Sequence, residues 1–143
     1  MKNLQYLDIS ANKLSGSIPQ ELGSCTMLIS LRINNNNLSG PLPTTIGSLG
    51  GLQIVLDVSS NKLMGNLPAE LGNLVMLEVL NLSHNQFSGS IPSSIGSMAS
   101  LSTLDVSYND LEGSLPAGGL FQNAFAKWFL HNKGLCRNAL QLQ

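Results

Sequence analysis

The fold is decided by the stretch LNLSHNQFSGSIP at residues 80–92, because related versions of it occur five times along the 143-residue chain. The leucine three residues before this stretch recurs at steps of 24, 24, 25 and 24 residues, as Leu4, Leu28, Leu52, Leu77 and Leu101. A fixed period of this length is typical of a solenoid, in which each repeat forms one coil that packs only against its neighbours. We therefore expect one stack of coils with a continuous core.

Each copy starts with apolar and polar residues in alternation, as in Leu80-Asn81-Leu82. Because successive side chains of a strand point to opposite faces, the leucines face inward and Asn81 faces outward. The pattern predicts one short parallel strand per coil. The third copy has one extra residue between Leu52 and Leu56, so we expect a local bulge where the chain enters the third strand.

An asparagine follows every predicted strand, in the column Asn12, Asn36, Asn61, Asn85 and Asn109. The chain turns inward here, and a side-chain amide can bond backbone groups of its own and adjacent coils that would otherwise be unpaired. We interpret these asparagines as a structural ladder. The column Leu14, Leu38, Leu63, Phe87 and Leu111 is predicted to be buried, which makes Phe87 a core residue and not a ligand contact.

The composition excludes several classes of partner. Seven Lys and Arg residues against eight Asp and Glu residues leave no broad basic face for nucleic acid or an anionic membrane. Apolar runs such as Ile54-Val55-Leu56 are far shorter than the roughly 20 residues that span a bilayer. The residues after Met1 lead directly into the repeats, so the sequence predicts neither a signal peptide nor a membrane helix within the chain.

The stretch at residues 80–92 closely resembles the plant-specific repeat of leucine-rich-repeat receptor-like kinases and receptor-like proteins. The segment Asn132-Lys133-Gly134-Leu135-Cys136 is similar to the membrane-proximal end of such ectodomains, and it is most similar to the group that interacts with the male-discoverer receptor. The resemblance implies an α/β-type leucine-rich-repeat solenoid, with a parallel sheet on the concave face and extended or 3-10 segments on the outer face.

The same resemblance implies a place on the extracellular side of the plasma membrane, and a Ser/Thr kinase domain elsewhere in the parent protein. The family pattern departs at Arg137, which stands where the family has glycine, and the cap lacks its second cysteine. No kinase motif occurs in the 143 residues, so we predict that this chain is not itself an enzyme.

We divide the chain into five repeats over residues 1–116 and a C-terminal cap over residues 117–143. The repeats are placed at approximately 1–25, 26–49, 50–74, 75–98 and from 99 onward. The apolar residues predicted to cover the fifth repeat are Leu120, Phe121, Phe125, Trp128 and Phe129. The first repeat has no such cover, so Leu4, Leu7, Ile9 and Leu14 should leave an exposed apolar face, through which we expect self-association.

A row of polar residues is predicted to cross the concave sheet, and it consists of Asp8, Arg32, Asp57, Asn81 and Asp105. Further candidates on the same face are Tyr6, Asn34, Asn35, Ser59, Ser60, His84, Thr103 and Tyr108. One interpretation is a solvated charge ladder, which contributes well under roughly 1 kcal/mol per pair. The other is a surface that recognises a peptide. Asp57 and Asp105 would lie about 10 Å apart, but no pocket for an acid/base pair is indicated.

Metal, cofactor and disulfide sites are not indicated. His84 has no cysteine or second histidine at ligand spacing, and no phosphate-binding loop occurs. Cys25 and Cys136 are expected roughly 20 Å apart, too far for a disulfide, which would leave Cys136 as a reactive thiol in an oxidising compartment. N-glycosylation sequons start at Asn37, the easier acceptor, and at Asn81.

Three functions remain open at this point. The resemblance implies a protein or peptide recognition module in transmembrane signalling, whose partner is a secreted peptide or the leucine-rich-repeat ectodomain of a co-receptor. A second possibility is a secreted or truncated leucine-rich-repeat inhibitor or decoy. The third is a gene remnant with no separate role.

Overall fold

The computed structural model describes residues 2–136, and it describes Cys136 by its backbone only. The predictions for the tail from Arg137 to residue 143, and for the thiol of Cys136, therefore lie outside the described residues.

Two parallel sheets run along the described part of the chain. The strands, in chain order, are β1 (Tyr6–Asp8), β2 (Ser15–Ser17), β3 (Ser30–Arg32), β4 (Asn37–Gly40), β5 (Val55–Asp57), β6 (Lys62–Asn66), β7 (Val79–Asn81), β8 (Gln86–Gly89), β9 (Thr103–Asp105), β10 (Asp110–Ser114) and β11 (Gly134–Cys136). The first sheet has the order β1-β3-β5-β7-β9, and we call it the front sheet. The second has the order β2-β4-β6-β8-β10-β11. The front sheet is the one that the sequence predicts, with one strand from each repeat.

Short 3-10 helices follow the second-sheet strand of the first four coils. They span Gln20–Ser24, Thr44–Ser48, Ala69–Asn73 and Ser93–Ser97. Each begins after a proline in an extended conformation, such as Pro68 with φ −72° and ψ 137°. Because the pyrrolidine ring fixes φ, proline holds this segment extended. The predicted extended and 3-10 segments are confirmed, and the leucine-rich-repeat solenoid with them.

The second sheet is a feature that the repeat pattern did not predict. It forms because a glycine in each coil takes a left-handed conformation, as Gly89 does with φ 74°. A side chain there would also collide with the amide of Asn66 in the preceding coil. Glycine at this position therefore lets successive coils approach closely enough to pair.

Cross-coil hydrogen bonds are present at four of the five predicted ladder asparagines, whereas Asn12 in the first coil bonds only carbonyls of its own coil, those of Ile9 and Ser10. The Nδ2 of Asn85 donates to the carbonyl of Val58 in the preceding coil at 3.1 Å and to the carbonyl of Leu82 in its own coil at 3.3 Å. Its Oδ1 accepts from the amide of Leu63, also in the preceding coil, at 3.0 Å. The same pattern recurs at Asn36, Asn61 and Asn109. Each of these side chains ties two coils together.

The extra residue of the third repeat lies just before β5, as predicted. Pairing of β1 with β3 matches Tyr6 to Ser30, whereas pairing of β3 with β5 matches Ser30 to Val55, which is one residue farther along the chain. The additional residue is accommodated at Ile54, whose side chain is exposed. The register of the front sheet is thereby restored before the strand begins.

The core runs through the stack as a single cluster, in which Phe87 is fully buried as predicted. The first coil differs, since Leu14 is 42% exposed. Beside it lies an apolar cavity of about 320 Å³, lined in part by Leu7, Ile9 and Leu22. The exposed apolar face of the first coil is therefore present, and self-association through it stays a prediction.

At the other end, Phe121, Trp128 and Phe129 are buried against the fifth coil as predicted. These residues belong to a one-turn α-helix, Gly119–Gln122, and a 3-10 helix, Ala126–Phe129. Phe125 departs from the prediction and is 63% exposed. It precedes the 3-10 helix, and its ring contacts Trp128 in a T-shaped arrangement with the centroids 5.5 Å apart and lies beneath the Nζ of Lys127.

The cap also contains a sixth ladder asparagine that the sequence analysis did not identify. The Nδ2 of Asn132 donates to the carbonyl of Val106 at 2.9 Å, and its Oδ1 accepts from the amide of Leu111 at 3.0 Å. Both partners lie in the preceding coil. Asn132 follows Asn109 by 23 residues, and this spacing was the available signal.

Candidate ligand-binding face

The front sheet brings the predicted polar row together. Strand register places Asp8 opposite Arg32, Arg32 opposite Asp57, Asp57 opposite Asn81, and Asn81 opposite Asp105. With neighbouring strands about 4.8 Å apart, the row is about 19 Å long. An extended segment of about six residues would cover it.

Most members of this row are already engaged by a serine two residues along the chain. Asp57 accepts hydrogen bonds from the backbone amide of Ser59 at 2.9 Å and from its Oγ at 2.6 Å. Asp8 binds Ser10, Asn81 binds Ser83 and Asp105 binds Ser107 in the same way. We call each such pair an Asx–Ser clamp. It fixes the backbone where the strand ends, and its structural role follows from its two bonds.

The clamps limit what part of the predicted site exposes. Asp57 is only 9% exposed and Ser59 only 7% exposed, and both hydrogen bonds from Ser59 go to the Oδ1 of Asp57. The physical reason is that the serine turns back onto the carboxylate instead of projecting from the face. The Asp-x-Ser spacing was visible in the sequence at three coils, and it was the signal for this role.

Asp8 shows the electrostatic effect of its clamp. The hydrogen bond from the Ser10 hydroxyl, the bond from the Ser10 amide and the nearby positive charge of Arg32 hold the pKa of Asp8 below its ordinary value of 3.8. The hydrogen bonds are the larger cause, because they favour the ionised carboxylate.

The second coil breaks the clamp pattern. Arg32 stands at the acidic position and Asn34 at the serine position. The Arg32 side chain is exposed, and its guanidinium has no ion pair or hydrogen bond within residues 2–136. Over the same described range, the Oδ1 of Asn34 is the one buried side-chain polar atom without a hydrogen-bond partner. In the described part of the chain, an exposed guanidinium without a partner and a buried oxygen without a donor therefore lie two residues apart in the second coil.

A second row of residues, which we call the left-handed row, follows the strands of the front sheet, with one residue directly before each ladder asparagine. Its members share a left-handed backbone with φ between 54° and 63°, and they are Ala11, Asn35, Ser60, His84, Tyr108 and His131. The rings of His84 and Tyr108 stack with centroids 4.2 Å apart, and those of Tyr108 and His131 stack at 4.1 Å. His84 and Tyr108 were predicted candidates. His131 was missed, although it precedes Asn132 as His84 precedes Asn85.

The remaining candidates are placed as follows. Tyr6 is 60% exposed on the front face, whereas Thr103 is half-buried. The acceptor Asn37 is exposed at the start of β4, but Asn81 is half-buried and its Oδ1 is occupied by Ser83. Cys25 is buried and free.

The described residues contain no group of three or more His, Cys, Asp or Glu side chains placed to hold a metal ion. Within that same range, no helix has the length and apolar character needed to cross a bilayer.

The chain matches a family model described as Leucine rich repeat over residues 54–111. A second model, described as Leucine Rich Repeat, matches residues 3–25 and 27–49. No curated protein sequence matches the chain.

The structure is similar to solved ectodomains of plant receptors. The ectodomain of the membrane receptor kinase GASSHO1/SCHENGEN3 from Arabidopsis thaliana, in complex with CASPARIAN STRIP INTEGRITY FACTOR 2, is 44% identical with a TM-score of 0.89, and the match covers 93% of this chain and 16% of that one. A chain of the BIR3–SERK2 complex from the same plant is 37% identical with a TM-score of 0.84, and the match covers 91% of this chain and 68% of that one. The HAESA ectodomain from Arabidopsis, in complex with an IDA peptide hormone ligand, is 35% identical with a TM-score of 0.75. That match covers 96% of this chain and 27% of the HAESA ectodomain.

Proposed function

The chain belongs to the leucine-rich-repeat family, as ectodomain sequence of the plant receptor-kinase type, and from this premise we propose that its front face binds an extended peptide. The matches of the 143 residues are to leucine-rich repeats and to receptor ectodomains. The chain spans only 16% of the GASSHO1/SCHENGEN3 ectodomain, so its place in a receptor on the outer side of the plasma membrane, in transmembrane signalling, is part of the proposal. The male-discoverer-interacting subgroup stays a prediction.

The observation that carries the proposal is the break in the clamp pattern at Arg32 and Asn34. In the other coils one oxygen of the equivalent carboxylate or amide already accepts hydrogen bonds from its serine. A buried polar atom without a partner costs about 1–3 kcal/mol, and such a group in a folded protein calls for an explanation. Binding supplies one, because rotation of the Asn34 amide would give its oxygen a backbone N–H donor from an extended peptide.

Arg32 defines the chemistry of the peptide group beside it. A guanidinium presents a planar set of donors that matches a carboxylate with two parallel hydrogen bonds. Arg32 lies between Asp8 and Asp57, whose carboxylates are held by their own serines. The peptide therefore carries an acidic side chain or a free C-terminal carboxylate at this point. HAESA was solved with a peptide hormone and BIR3 with SERK2, so similar ectodomains bind both classes of partner, and the unpaired buried oxygen of Asn34 favours the peptide.

The double variant R32D/N34S tests this site without disturbing the fold. It restores in the second coil the clamp already present at Asp8–Ser10, Asp57–Ser59 and Asp105–Ser107, so it should fold at least as well as the parent chain. Asn81→Asp is the matched control, because it adds negative charge to the same row while keeping the clamp to Ser83.

The assay is an array of short synthetic peptides, with acidic or amide side chains and with free or amidated C-termini. We expect the parent chain and Asn81→Asp to retain carboxylate-bearing peptides that R32D/N34S does not retain. If the double variant retains the same peptides as the parent chain, Arg32 and Asn34 do not form the binding site.

A further inference from the structure

The stacked rings of His84, Tyr108 and His131 end at His84 on the side of the preceding coil. Both faces of Tyr108 are covered, one by each histidine. His84 has one face on Tyr108, and its other face looks along the row toward Ser60 in the preceding coil. Within the described residues, no ring contacts that second face. We propose that the open face of His84 above Ser60 is a stacking site for one aromatic side chain of a polypeptide ligand.

The spacing of the row makes room for such a ring. Coils follow one another at about 4.8 Å, and the stacked ring centroids lie 4.1 and 4.2 Å apart. A fourth ring at the same pitch would lie over Ser60, whose side chain is a single hydroxyl. Beyond Ser60 the row continues with Asn35 and Ala11, which are also ringless. The position next to His84 could therefore hold a further ring, and the chain itself places no ring there.

The geometry favours a planar ring over other side chains. Offset-stacked rings gain energy beyond the area they bury, and aromatic side chains lose only two torsions on binding. The His84 ring is already held in place by Tyr108, so little further ordering is needed. A branched aliphatic side chain would touch this flat face only through its edges.

The inference rests on the proposed function only in taking the ring to belong to a polypeptide. Ser60 and Asn34 lie one coil apart in the stack, and His84 lies one coil farther. The ring would therefore lie one coil, about 5 Å along the stack, from the coil of Arg32. That distance corresponds to about one or two residues of an extended chain. A ligand of the front face would carry its aromatic and acidic groups at this separation.

The row itself supplies suitable variants. Asparagine and histidine tolerate a left-handed backbone better than most residues, and this chain already has Asn35, His84 and His131 at equivalent positions. Ser60→His adds an imidazole ring that should stack on His84 and block the proposed site. Ser60→Asn, the matched control, enlarges the side chain without adding a ring. Both substitutions keep a residue type that the row already accommodates.

The experiment is a proton NMR titration of the 143-residue chain with N-acetyl-tryptophan amide, N-acetyl-leucine amide and N-acetyl-arginine amide. The chain has only two histidines, so the imidazole signals of His84 and His131 can be separated with the His84→Asn variant. We expect the tryptophan amide to shift the His84 imidazole protons upfield, through its ring current, and to leave His131 nearly unshifted. The effect should persist in Ser60→Asn and be lost in Ser60→His.

An equal shift with the leucine amide, a response to the arginine amide alone, or an unchanged response in Ser60→His would overturn the stacking site. Because these probes carry no carboxylate, the outcome does not depend on Arg32. Failure here leaves the peptide-array result for R32D/N34S intact, and failure of that array leaves the stacking result intact.

Discussion

Replacement of Asn85 by alanine is the most direct test of how the coils are held together. Its amide makes four hydrogen bonds, and the side chain is buried. The three carbonyls that it serves each have a second donor: Val58 is also bonded by Asn61, Leu82 by Asn109, and Ser83 by the amide of Ser60. The amide of Leu63 loses the acceptor that Asn85 provides.

The expected loss of stability follows from this difference between one amide that loses its acceptor and three carbonyls that each keep a donor. A buried N–H without an acceptor costs about 1–3 kcal/mol, and each shared bond that is lost adds less than about 1 kcal/mol because its carbonyl keeps another donor. We therefore expect Asn85→Ala to lower the free energy of unfolding by about 2–4 kcal/mol. Asn12→Ala is the control. Asn12 is exposed and bonds only carbonyls of its own coil, so it should cost less than about 1 kcal/mol.

Urea denaturation followed by far-ultraviolet circular dichroism measures both variants against the parent chain. The reasoning requires the Asn85 variant to unfold at distinctly lower urea than the Asn12 variant. Equal losses in the two would mean that the amide bonds between coils contribute no more than exposed bonds within one coil, and the ladder interpretation would be refuted.

Three further predictions concern other parts of the chain. Phe87→Ala should lower the free energy of unfolding by about 3–5 kcal/mol in the same urea assay, because the ring is fully buried, whereas Phe125→Ala should cost less than about 1 kcal/mol; equal effects would contradict the observed burial. Tyr108→Asn removes both ring contacts at a position where asparagine accepts the backbone, and it should cost about 1–2 kcal/mol, with no loss if the stack is incidental. Ser10→Ala should raise the pKa of Asp8 toward 3.8 in an NMR titration of the carboxyl carbon. Because the pKa of Asp8 is lower in the folded state, the clamp stabilises the fold at pH values above 3.8. This stabilisation is lost as the pH falls through the folded-state pKa, so Ser10→Ala should lose less stability on acidification than the parent chain.

The front sheet, the ladder and the buried Phe87 could be predicted because each depends on a residue type that recurs at a fixed step. The strand pattern is local, and its register follows from the period alone. The same reasoning located the extra residue before β5, because an insertion displaces every later column by one. These features require no knowledge of which side chains meet across coils.

The clamps, the second sheet and the ring stack were harder to predict because they depend on contacts between side chains. Asp57 was assigned to a ligand surface since its strand position faces outward, but its exposure depends on the rotamer of Ser59. His131 was not among the predicted candidates. Its relation to Tyr108 becomes visible once Asn132 is placed in the ladder.

The repeat therefore divides the front face into positions that serve the fold and positions that are free to vary. A ladder asparagine cannot change without leaving backbone groups unpaired, and an Asx–Ser clamp uses both of its partners. The proposed recognition would then depend on places where the chain departs from its own pattern. In the described residues such places include the Arg32–Asn34 pair and the left-handed row, where a residue needs only to tolerate its backbone. Specificity can change at these positions while the coil-to-coil bonds stay the same, because neither set of side chains contributes to the ladder.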